Sequence, residues 1–247
     1  LKSLGARLAI PRLPAKALAL IAGKPLVSWC LSRARESGAS EVIVAVDDPR
    51  VAEAVGDAAV MTSKEHESGT DRLAEIARAR GWADDTIVVN MQGDEPLLPP
   101  HLLDELAGAL AAHPRAGIAT MATPITDAAT LFRESVVKCV LDDEGFALTF
   151  SRAPIPWVRG AFASGPDATL PADVPFLRHL GLYAYRASTL RRLSDAPRAA
   201  IERAESLEQL RALALGIPIH VTRVEEAPPP GVDTEEDLER VRAILSA

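Results

Sequence analysis

Several features that would place this chain in a special class are missing from its sequence. No apolar run approaches the roughly 18 residues that a membrane-spanning helix needs, and there is no secretory leader with an apolar central run. The 2 cysteines, Cys30 and Cys139, have neither a zinc-binding spacing nor the density of a disulfide framework. The Gly-x-Gly-x-x-Gly fingerprint and the Walker A loop are also absent. We therefore expect a soluble, cytoplasmic protein without membrane insertion, whose cysteines are buried thiols.

The charge balance is acidic but uneven. The net charge of −7, from 27 basic and 34 acidic residues, argues against a protein that coats nucleic acid, because such proteins carry broad basic faces. The segment 1–35 nevertheless contains no acidic residue. Such a segment suits a small anion, and a solvated basic edge explains it equally well. Its basic residues are Lys2, Arg7, Arg12, Lys16, Lys24, Arg33 and Arg35.

The first half of the chain alternates between helical and strand patterns. Of the 247 residues 48% are apolar, which is enough for one large domain with or without a small insert. Apolar residues at three-to-four spacing predict helices over residues 25–37, 50–55, 70–80 and 99–112. Short apolar runs predict buried strands over residues 41–46 and 86–91. The alternation predicts an α/β fold with a mostly parallel central sheet and helices on both faces.

After Gly117 the pattern changes to short strands, predicted over residues 118–125, 136–141, 146–150, 180–185 and 219–224. Asp142-Asp143-Glu144-Gly145 has the composition of a hairpin turn. Residues 154–175, with five prolines and little periodicity, indicate a long loop of the kind that binds, forms an interface or is disordered. Residues 201–215 predict one amphipathic helix, and a terminal helix is expected from about Thr234.

One polar motif directly follows the clearest buried strand. In Gln92-Gly93-Asp94-Glu95-Pro96, Asp94 is expected to project into a site, because ligands bind at the carboxyl ends of parallel strands. A carboxylate beside phosphates suits magnesium, which takes one or two protein carboxylates plus substrate oxygens. The alternative is a plain turn, because Gly-Asp and Glu-Pro are turn formers.

A second carboxylate, Asp233, lies just before the terminal helix. Thr234 with Asp237 three residues later resembles a helix-capping box. Capping alone explains the motif, but Thr234 could cap the helix while Asp233 points elsewhere as a metal ligand.

Two loops carry groups that suit a nucleotide. Arg12-Leu13-Pro14-Ala15-Lys16 could hold a polyphosphate, with the arginine as a fork and the lysine as a point charge. The segment 66–72 precedes a helix, where Thr70 is a candidate N-cap and free N–H groups could read a base.

A third group of polar residues surrounds the irregular segment and follows it along the chain. Arg178-His179 is a candidate clamp for a carboxylate. Surface charge explains each member of the group singly. The members are Arg152, Arg178, His179, Glu208 and Gln209.

Taken together, seven ordered motifs from about Arg12 to the C-terminus resemble the CMP-Kdo synthetase family, the 3-deoxy-manno-octulosonate (Kdo) cytidylyltransferases of Gram-negative bacteria. They are Arg12-Leu13-Pro14-Ala15-Lys16, His66-x-Ser68-Gly69-Thr70-Asp71-Arg72, Gln92-Gly93-Asp94-Glu95-Pro96, Ser151-Arg152-x-x-Ile155-Pro156, Arg178-His179-Leu180-Gly181-x-Tyr183, Leu207-Glu208-Gln209-Leu210-Arg211 and Gly231-Val232-Asp233-Thr234.

The resemblance implies a Rossmann-like nucleotidyltransferase fold with a smaller mixed-sheet dimerisation insert. It implies a single cytidylyltransferase domain over residues 1–247, in which about 118–185 form the sugar-binding and dimer-forming portion of a homodimer. Such an enzyme transfers CMP from CTP to Kdo, giving CMP-Kdo and pyrophosphate for lipopolysaccharide biosynthesis. The alternatives are a cytidylyltransferase for another acidic sugar, 8-amino-Kdo or a sialic acid, and a CTP-binding protein that has lost catalysis.

The same resemblance implies roles for individual residues. Asp94 and Asp233 would converge on Mg2+, the expected cofactor, while Arg12 and the catalytic Lys16 would neutralise the triphosphate. Residues implied near the cytidine are Ser68, Gly69, Thr70, Arg72 and Gln92. Residues implied at the sugar are Arg152, His179, Tyr183, Glu208 and Gln209.

One segment departs from the family's pattern, Pro-Ala-Arg-x-x-Ser-x-Arg-Leu-Pro-x-Lys. Aligned without a gap, the chain has Gly5 for the first Pro, keeps Ala6 and Arg7, and has Ile10 for the Ser, which leaves too few residues for the preceding strand. Alternatively, residues 8–11 end the strand, and several loop residues, one of them an Arg, are missing before Arg12. We favour the second alignment because it supplies the sheet's first strand.

Overall fold

The computed structural model describes residues 7–11, as backbone only, and residues 17–246. The strands in this part of the chain are β1 (Arg7–Pro11), β2 (Leu20–Ile21), β3 (Lys24–Pro25), β4 (Glu41–Val46), β5 (Ala59–Met61), β6 (Ile87–Asn90), β7 (Ile118–Pro124), β8 (Lys138–Leu141), β9 (Ala147–Ser151), β10 (Leu177–Arg186) and β11 (Ile219–Arg223). The helices are α1 (Leu26–Arg35), α2 (Pro49–Val55), α3 (Gly69–Ala79), α4 (Pro100–Ala112), α5 (Ala128–Phe132), α6 (Ala187–Asp195), α7 (Ala200–Glu205), α8 (Gln209–Ala214) and α9 (Glu235–Leu245).

These elements form two compact units. The first unit contains the described residues up to Ala112 together with Tyr183–Asp195 and residues 228–246. The second contains His113–Leu182 and Ala196–Ala227. That the whole chain acts as one cytidylyltransferase domain stays a prediction.

The strands of the main sheet that precede Gly117 pair in parallel with one another. β1 pairs in parallel with both β4 and β6, and β4 pairs in parallel with β5. Residues 183–186 of β10 add an antiparallel neighbour to β6. β4 has the bounds that its apolar run predicts, and its last three residues are fully buried, as expected for a strand inside a parallel sheet.

β1 agrees with the alignment in which the strand ends at Pro11. Its backbone lies between two partners, with Leu8 opposite Val42 of β4 and Val89 of β6. A first strand is therefore present between β4 and β6. The motif Arg12-Leu13-Pro14-Ala15-Lys16 that follows it in the sequence lies outside the described residues.

The second unit is built on a mixed sheet. β7 pairs in parallel with β11, β7 also neighbours β10, and β8 pairs antiparallel with β9 and β10. The predicted hairpin between β8 and β9 is confirmed. Its turn is held by Asp142 Oδ1, which accepts the N–H groups of Glu144 and Phe146 at 2.9 and 2.8 Å.

The irregular segment between β9 and β10 has its own small apolar cluster. Phe162 and Phe176, buried in it, pack edge to face with ring centroids 6.0 Å apart, and they join Ile125 and Leu131. Apart from one 3-10 turn at Gly165–Asp167, the segment is loop, as its prolines predict.

The predicted helix over residues 201–215 is wrong as a single helix. α7 ends at Glu205, Ser206 adopts a left-handed conformation with φ 52°, and α8 begins at Gln209. The break is compatible with a buried ion pair, because the Glu202 carboxylate accepts Arg211 Nε and Nη2 at 2.9 and 2.6 Å across it. A further helix, α6, was not predicted; it packs against α3 in the first unit.

No helix among the described residues is long and apolar enough to cross a membrane.

Candidate active site

The loop after β6 and the approach to α9 meet in the first unit. Val232 N–H donates to the Asp94 carbonyl oxygen at 2.8 Å. A Cβ at Gly231 would lie 3.0 Å from that oxygen and 3.5 Å from Glu95 Cγ, so any other residue would have to displace the Asp94 backbone by a few tenths of an ångström, which favours glycine there. Asp94 and Asp233, which are 139 positions apart (233 − 94), therefore belong to two segments in direct backbone contact.

The two segments gather like charges. Glu95 has its pKa raised to about 8, chiefly by burial and then by the negative charges of Asp94 and Asp233, against the N–H of Gln92, which lowers it. Glu95 Oε2 is buried and accepts no hydrogen bond from a described residue. Such an arrangement is unfavourable for the protein alone and would be relieved by a cation. In the described part of the chain, no three His, Cys, Asp or Glu side chains are arranged to enclose a metal by themselves.

Asp233 is presented by the N-terminus of α9. The predicted capping box is confirmed: Thr234 Oγ1 accepts Asp237 N–H at 3.1 Å, and Asp237 Oδ2 accepts Thr234 N–H at 2.8 Å. Asp237 Oδ2 also accepts the N–H of Asp233 at 3.0 Å, and these contacts hold the pKa of Asp237 well below its usual range. The Asp233 side chain itself is exposed. Capping therefore leaves Asp233 available to a ligand.

The start of α3 carries the next group of predicted residues. Ser68, and not Thr70, is the N-cap: its Oγ accepts Asp71 N–H at 3.2 Å and donates to Asp71 Oδ2 at 2.9 Å. Thr70 is buried, whereas Ser68 and Gly69 are half-buried at the first turn. Gln92 is also half-buried, in the loop that follows β6. A helix start of this kind offers backbone N–H donors to a polar ligand.

Arg72 holds the loop that precedes α3 from the interior of the first unit. Its Nη1 donates to Thr62 Oγ1 and the Ser63 carbonyl, both at 2.9 Å, and its Nη2 pairs with Asp47 Oδ2 at 2.7 Å. The side chain is 10% exposed, and burial lowers its pKa. The structure thus places Arg72 in a bracing role behind the loop rather than at its surface.

Glu75 braces the same loop by its side chain. It accepts the N–H of Ser63 at 3.0 Å and pairs with the ring of His66. Arg72 and Glu75 of α3 thereby fix the loop that leads into the segment that the sequence assigns to the cytidine.

The predicted triphosphate residues Arg12 and Lys16 lie outside the described residues, and for Arg7 only the backbone is described. Their roles stay predictions.

His179, predicted at the sugar, is buried in the second unit. Its Nε2 lies 3.0 Å from Thr120 Oγ1, and its ring packs edge to face on Phe150 at 4.9 Å. Thr120 Oγ1 directs its single proton at the carbonyls of Leu180 and Leu182, 3.1 and 2.7 Å away, so Nε2–H of His179 is the donor in the histidine contact. Burial lowers the pKa of His179 to about 3. The ring is neutral at ordinary pH and can serve a sugar hydroxyl but not act as a cation.

Arg178 and His179 do not form one clamp. Side chains alternate across a strand, and in β10 Arg178 is exposed while His179 is buried. Tyr183, further along β10, is half-buried, lies opposite Asn90 of β6 and stacks on Tyr185 with centroids 5.7 Å apart.

The Ser151-Arg152 segment at the end of β9 is held by Glu205 of α7. Glu205 Oε1 accepts Ser151 Oγ at 2.6 Å, and Oε2 accepts the N–H of Arg152 at 2.9 Å. Arg152 Nε donates to the Glu205 carbonyl at 2.7 Å and Nη1 to the Glu134 carbonyl at 3.2 Å. This half-buried guanidinium is thus fixed in direction.

Glu208 and Gln209 lie where α8 begins. Gln209 is buried, and Glu208 is half-buried with its Oε1 3.6 Å from Arg211 Nη2. The break before α8 and the Glu202–Arg211 pair determine where these two side chains are placed.

Sequence reasoning missed three charged residues that shape these sites. Glu95 was inside a recognised motif, and its burial was not foreseeable from the spacing. Lys138 and Glu205 gave only ordinary strand and helix patterns, although a lysine inside the apolar run 136–141 was a signal that could have been followed.

Comparison with known proteins agrees with this geometry. A family model described as cytidylyltransferase matches residues 4–219. A 3-deoxy-manno-octulosonate cytidylyltransferase from Pseudomonas fluorescens Pf-5 is 55% identical over 219 residues, covering 87% of this chain and 86% of the relative. One of the same name from Pseudomonas syringae pv. tomato is 53% identical over the same shares.

Two solved structures extend the comparison. A CMP:2-keto-3-deoxy-manno-octonic acid synthetase complexed with CTP superimposes with a TM-score of 0.86 at 41% identity, covering 98% of each chain. A 4-diphosphocytidyl-2C-methyl-D-erythritol synthase shares the fold alone, with a TM-score of 0.63 at 14% identity over 97% of this chain and 99% of that one.

Proposed function

The chain belongs to the 3-deoxy-manno-octulosonate cytidylyltransferase family, and from this premise we propose that it transfers CMP from CTP to Kdo, releasing pyrophosphate and supplying CMP-Kdo for lipopolysaccharide biosynthesis. The observation that carries the proposal within the molecule is the backbone contact that joins the Asp94 and Asp233 segments. Both segments belong to family motifs, and only folding brings them together.

The donor groups at this contact fit Mg2+. Mg2+ prefers oxygen ligands and usually takes one or two protein carboxylates, with substrate oxygens and water filling the other positions. Asp94 and Asp233 would be the ligands, and a bound cation would favour the ionised form of Glu95, whose pKa is raised by burial and by these two carboxylates. What the ion supplies when bound there is positive charge against the phosphate oxygens.

The chain's own residues then act by positioning. The anomeric C2 hydroxyl of the sugar acid attacks the α-phosphorus in line, an oxygen–phosphorus bond forms and pyrophosphate leaves, so there is little covalent work for the protein. The first turn of α3 and Gln92 would orient the cytidine, and Arg12 and Lys16 would bind the triphosphate.

The sugar acid would be bound by the residues that the resemblance assigns to it. Arg152 would pair with its carboxylate, because a guanidinium held in direction is well suited to a planar anion. His179, Tyr183, Glu208 and Gln209 would bind its hydroxyls.

The Rossmann-like description of the sheet, the homodimer and the cytoplasmic location belong to the same proposal. Leu148 and Trp157 of the second unit, 62% and 61% exposed in the single chain, are apolar side chains that a partner subunit would cover. Light scattering coupled to gel filtration would measure the mass in solution, and a monomer would exclude the dimer.

A pyrophosphate-release assay tests the function directly. With CTP, Kdo and Mg2+ we expect turnover that EDTA abolishes and excess Mg2+ restores. No release from intact, folded protein would contradict the proposal. CTP binding by calorimetry without turnover would instead favour a protein that has lost catalysis.

Sugar choice is tested in the same assay. Kdo, 8-amino-Kdo and a sialic acid would be supplied in turn and in competition. A higher kcat/KM for either competitor would keep the cytidylyltransferase chemistry and reassign the acceptor.

A further inference from the structure

Lys138 is a lysine without solvent contact. It lies at the start of β8 and is 0% exposed. All three of its ammonium protons have backbone acceptors: the carbonyl oxygens of Arg133 and Val136, at 2.9 and 2.6 Å, and that of Arg152. A buried ammonium is costly unless it is fully hydrogen-bonded, and here it is.

Lys138 and Glu205 hold the two peptide groups that flank the Cα of Arg152. Lys138 binds its carbonyl, while the Glu205 carboxylate binds its N–H and the neighbouring Ser151 hydroxyl. The backbone of Arg152 therefore cannot rotate without breaking charge-assisted hydrogen bonds, which are the stronger class.

The guanidinium of Arg152 is oriented by the same residues. Nε and Nη1 are engaged by the carbonyls of Glu205 and Glu134, whereas Nη2 donates to no described residue. Two of the three guanidinium nitrogens are thus engaged by the protein, and Nη2 is the one that no described residue accepts from.

Charged groups of both signs act on Lys138. Burial lowers its pKa, the carboxylate of Glu205 raises it, the guanidinium of Arg152 lowers it and the carboxylate of Glu134 raises it. The ammonium of Lys138 is therefore held between two carboxylates and the guanidinium that it helps to position.

We propose that Lys138 and Glu205 are positioning residues that fix Arg152 with Nη2 presented to the carboxylate of the acceptor sugar, and that they thereby set the preference for an acidic sugar. The inference rests on the proposed function, in which Arg152 binds that carboxylate.

The test is a set of steady-state measurements with Kdo and CTP varied separately. Glu205→Gln keeps the shape of the side chain but removes its charge, and we expect KM for Kdo to rise on the order of 10-fold, the scale of one weakened charge-assisted hydrogen bond, with KM for CTP unchanged. Lys138→Met is expected to act in the same direction. Glu144→Gln, which removes an exposed ion-pair partner of Arg115 in the same unit, is the matched control and should change neither constant.

A double-mutant cycle separates positioning from general loosening. If Glu205 acts through Arg152, Arg152→Lys and the double variant Arg152→Lys/Glu205→Gln should have similar KM values for Kdo. Additive effects, or an unchanged KM for Kdo in Glu205→Gln, overturn the inference while wild-type turnover leaves the proposed function standing. Absence of wild-type turnover overturns both. If Lys138→Met does not fold, the isosteric Glu205→Gln variant and the cycle decide alone.

Discussion

In the first unit, Glu95 is buried near the carboxylates of Asp94 and Asp233, and one of its oxygens has no hydrogen-bond partner among the described residues. In the second unit, Lys138 has three acceptors and Glu205 has partners at both oxygens. The described part of the first unit thus has a buried carboxyl oxygen that a ligand could satisfy. In the second unit, Lys138 and Glu205 are satisfied by the protein itself.

The difference matches what each ligand needs. Mg2+ binds oxygen atoms of the protein, the substrate and water. Carboxyl groups that have few hydrogen-bond donors within the protein are therefore well suited to bind it. A sugar acid is recognised by hydrogen bonds of defined direction. These require donors whose orientation is fixed before the ligand binds. Removing a charge should therefore have opposite consequences for stability in the two units.

The largest effect on stability is expected at the buried pair of the second unit. Arg211→Met leaves Glu202 buried without its partner and should lower the free energy of unfolding by about 3 to 5 kcal/mol in urea denaturation. Both side chains are 7% exposed. The control Arg115→Met breaks a pair whose side chains are 56% and 71% exposed and should cost at most about 1 kcal/mol. Equal losses in the two variants would contradict the comparison.

The largest effect on activity is expected in the first unit. Asp94→Asn and Asp233→Asn should each lower kcat/KM on the order of 10²-fold or more, the scale for one group that stabilises a transition state. In Mg2+-free buffer Asp233→Asn should not unfold at a lower temperature than the wild type, because it removes an exposed charge that acts unfavourably on the buried Glu95. Near-normal turnover in either variant would remove that residue from the metal site.

The pH dependence of stability should reflect His179. Its pKa is lowered to about 3 in the folded chain, below the usual 6.5, so the unfolded chain binds more protons between these values. The contribution of His179 is complete above pH 6.5 and is lost as the pH falls toward 3, by at most about 1.4 kcal/mol per pH unit. His179→Gln should flatten this part of the profile in urea titrations at successive pH values. An unchanged slope would show that the ring is not held neutral.

The smallest effect is expected at the cap of α9. Thr234→Ala removes one acceptor from the capping box and should cost about 1 kcal/mol of unfolding free energy. Because the box also holds the backbone of Asp233, the Mg2+ concentration for half-maximal turnover should rise. Thr234→Ser keeps the hydroxyl and is the control. A loss of stability with no change in Mg2+ requirement would separate the cap from the metal site.

Local patterns were sufficient for most of the elements. The bounds of β4 follow from an uninterrupted apolar run, and the hairpin turn at Asp142 follows from short-range hydrogen bonds within four residues. The seven ordered motifs were likewise enough to identify the family, and the convergence of the Asp94 and Asp233 segments followed from the family.

Where local pattern and remote contact disagreed, the remote contact decided. Residues 201–215 keep an amphipathic period throughout, yet the chain breaks at Ser206 and pairs Glu202 with Arg211 across the break. Arg72 lies in a motif assigned to the cytidine, yet its guanidinium is occupied by Asp47, Thr62 and Ser63.

The sequence by itself determined the family, most of the main strands and helices, and the residue types available for nucleotide and sugar chemistry. Only the tertiary structure decided which of those charged groups are available and which are already paired. Hydrogen-bond partners and pKa values depend on burial and on residues distant in sequence, as at Glu95 beside Asp233 and at Arg152 between Lys138 and Glu205.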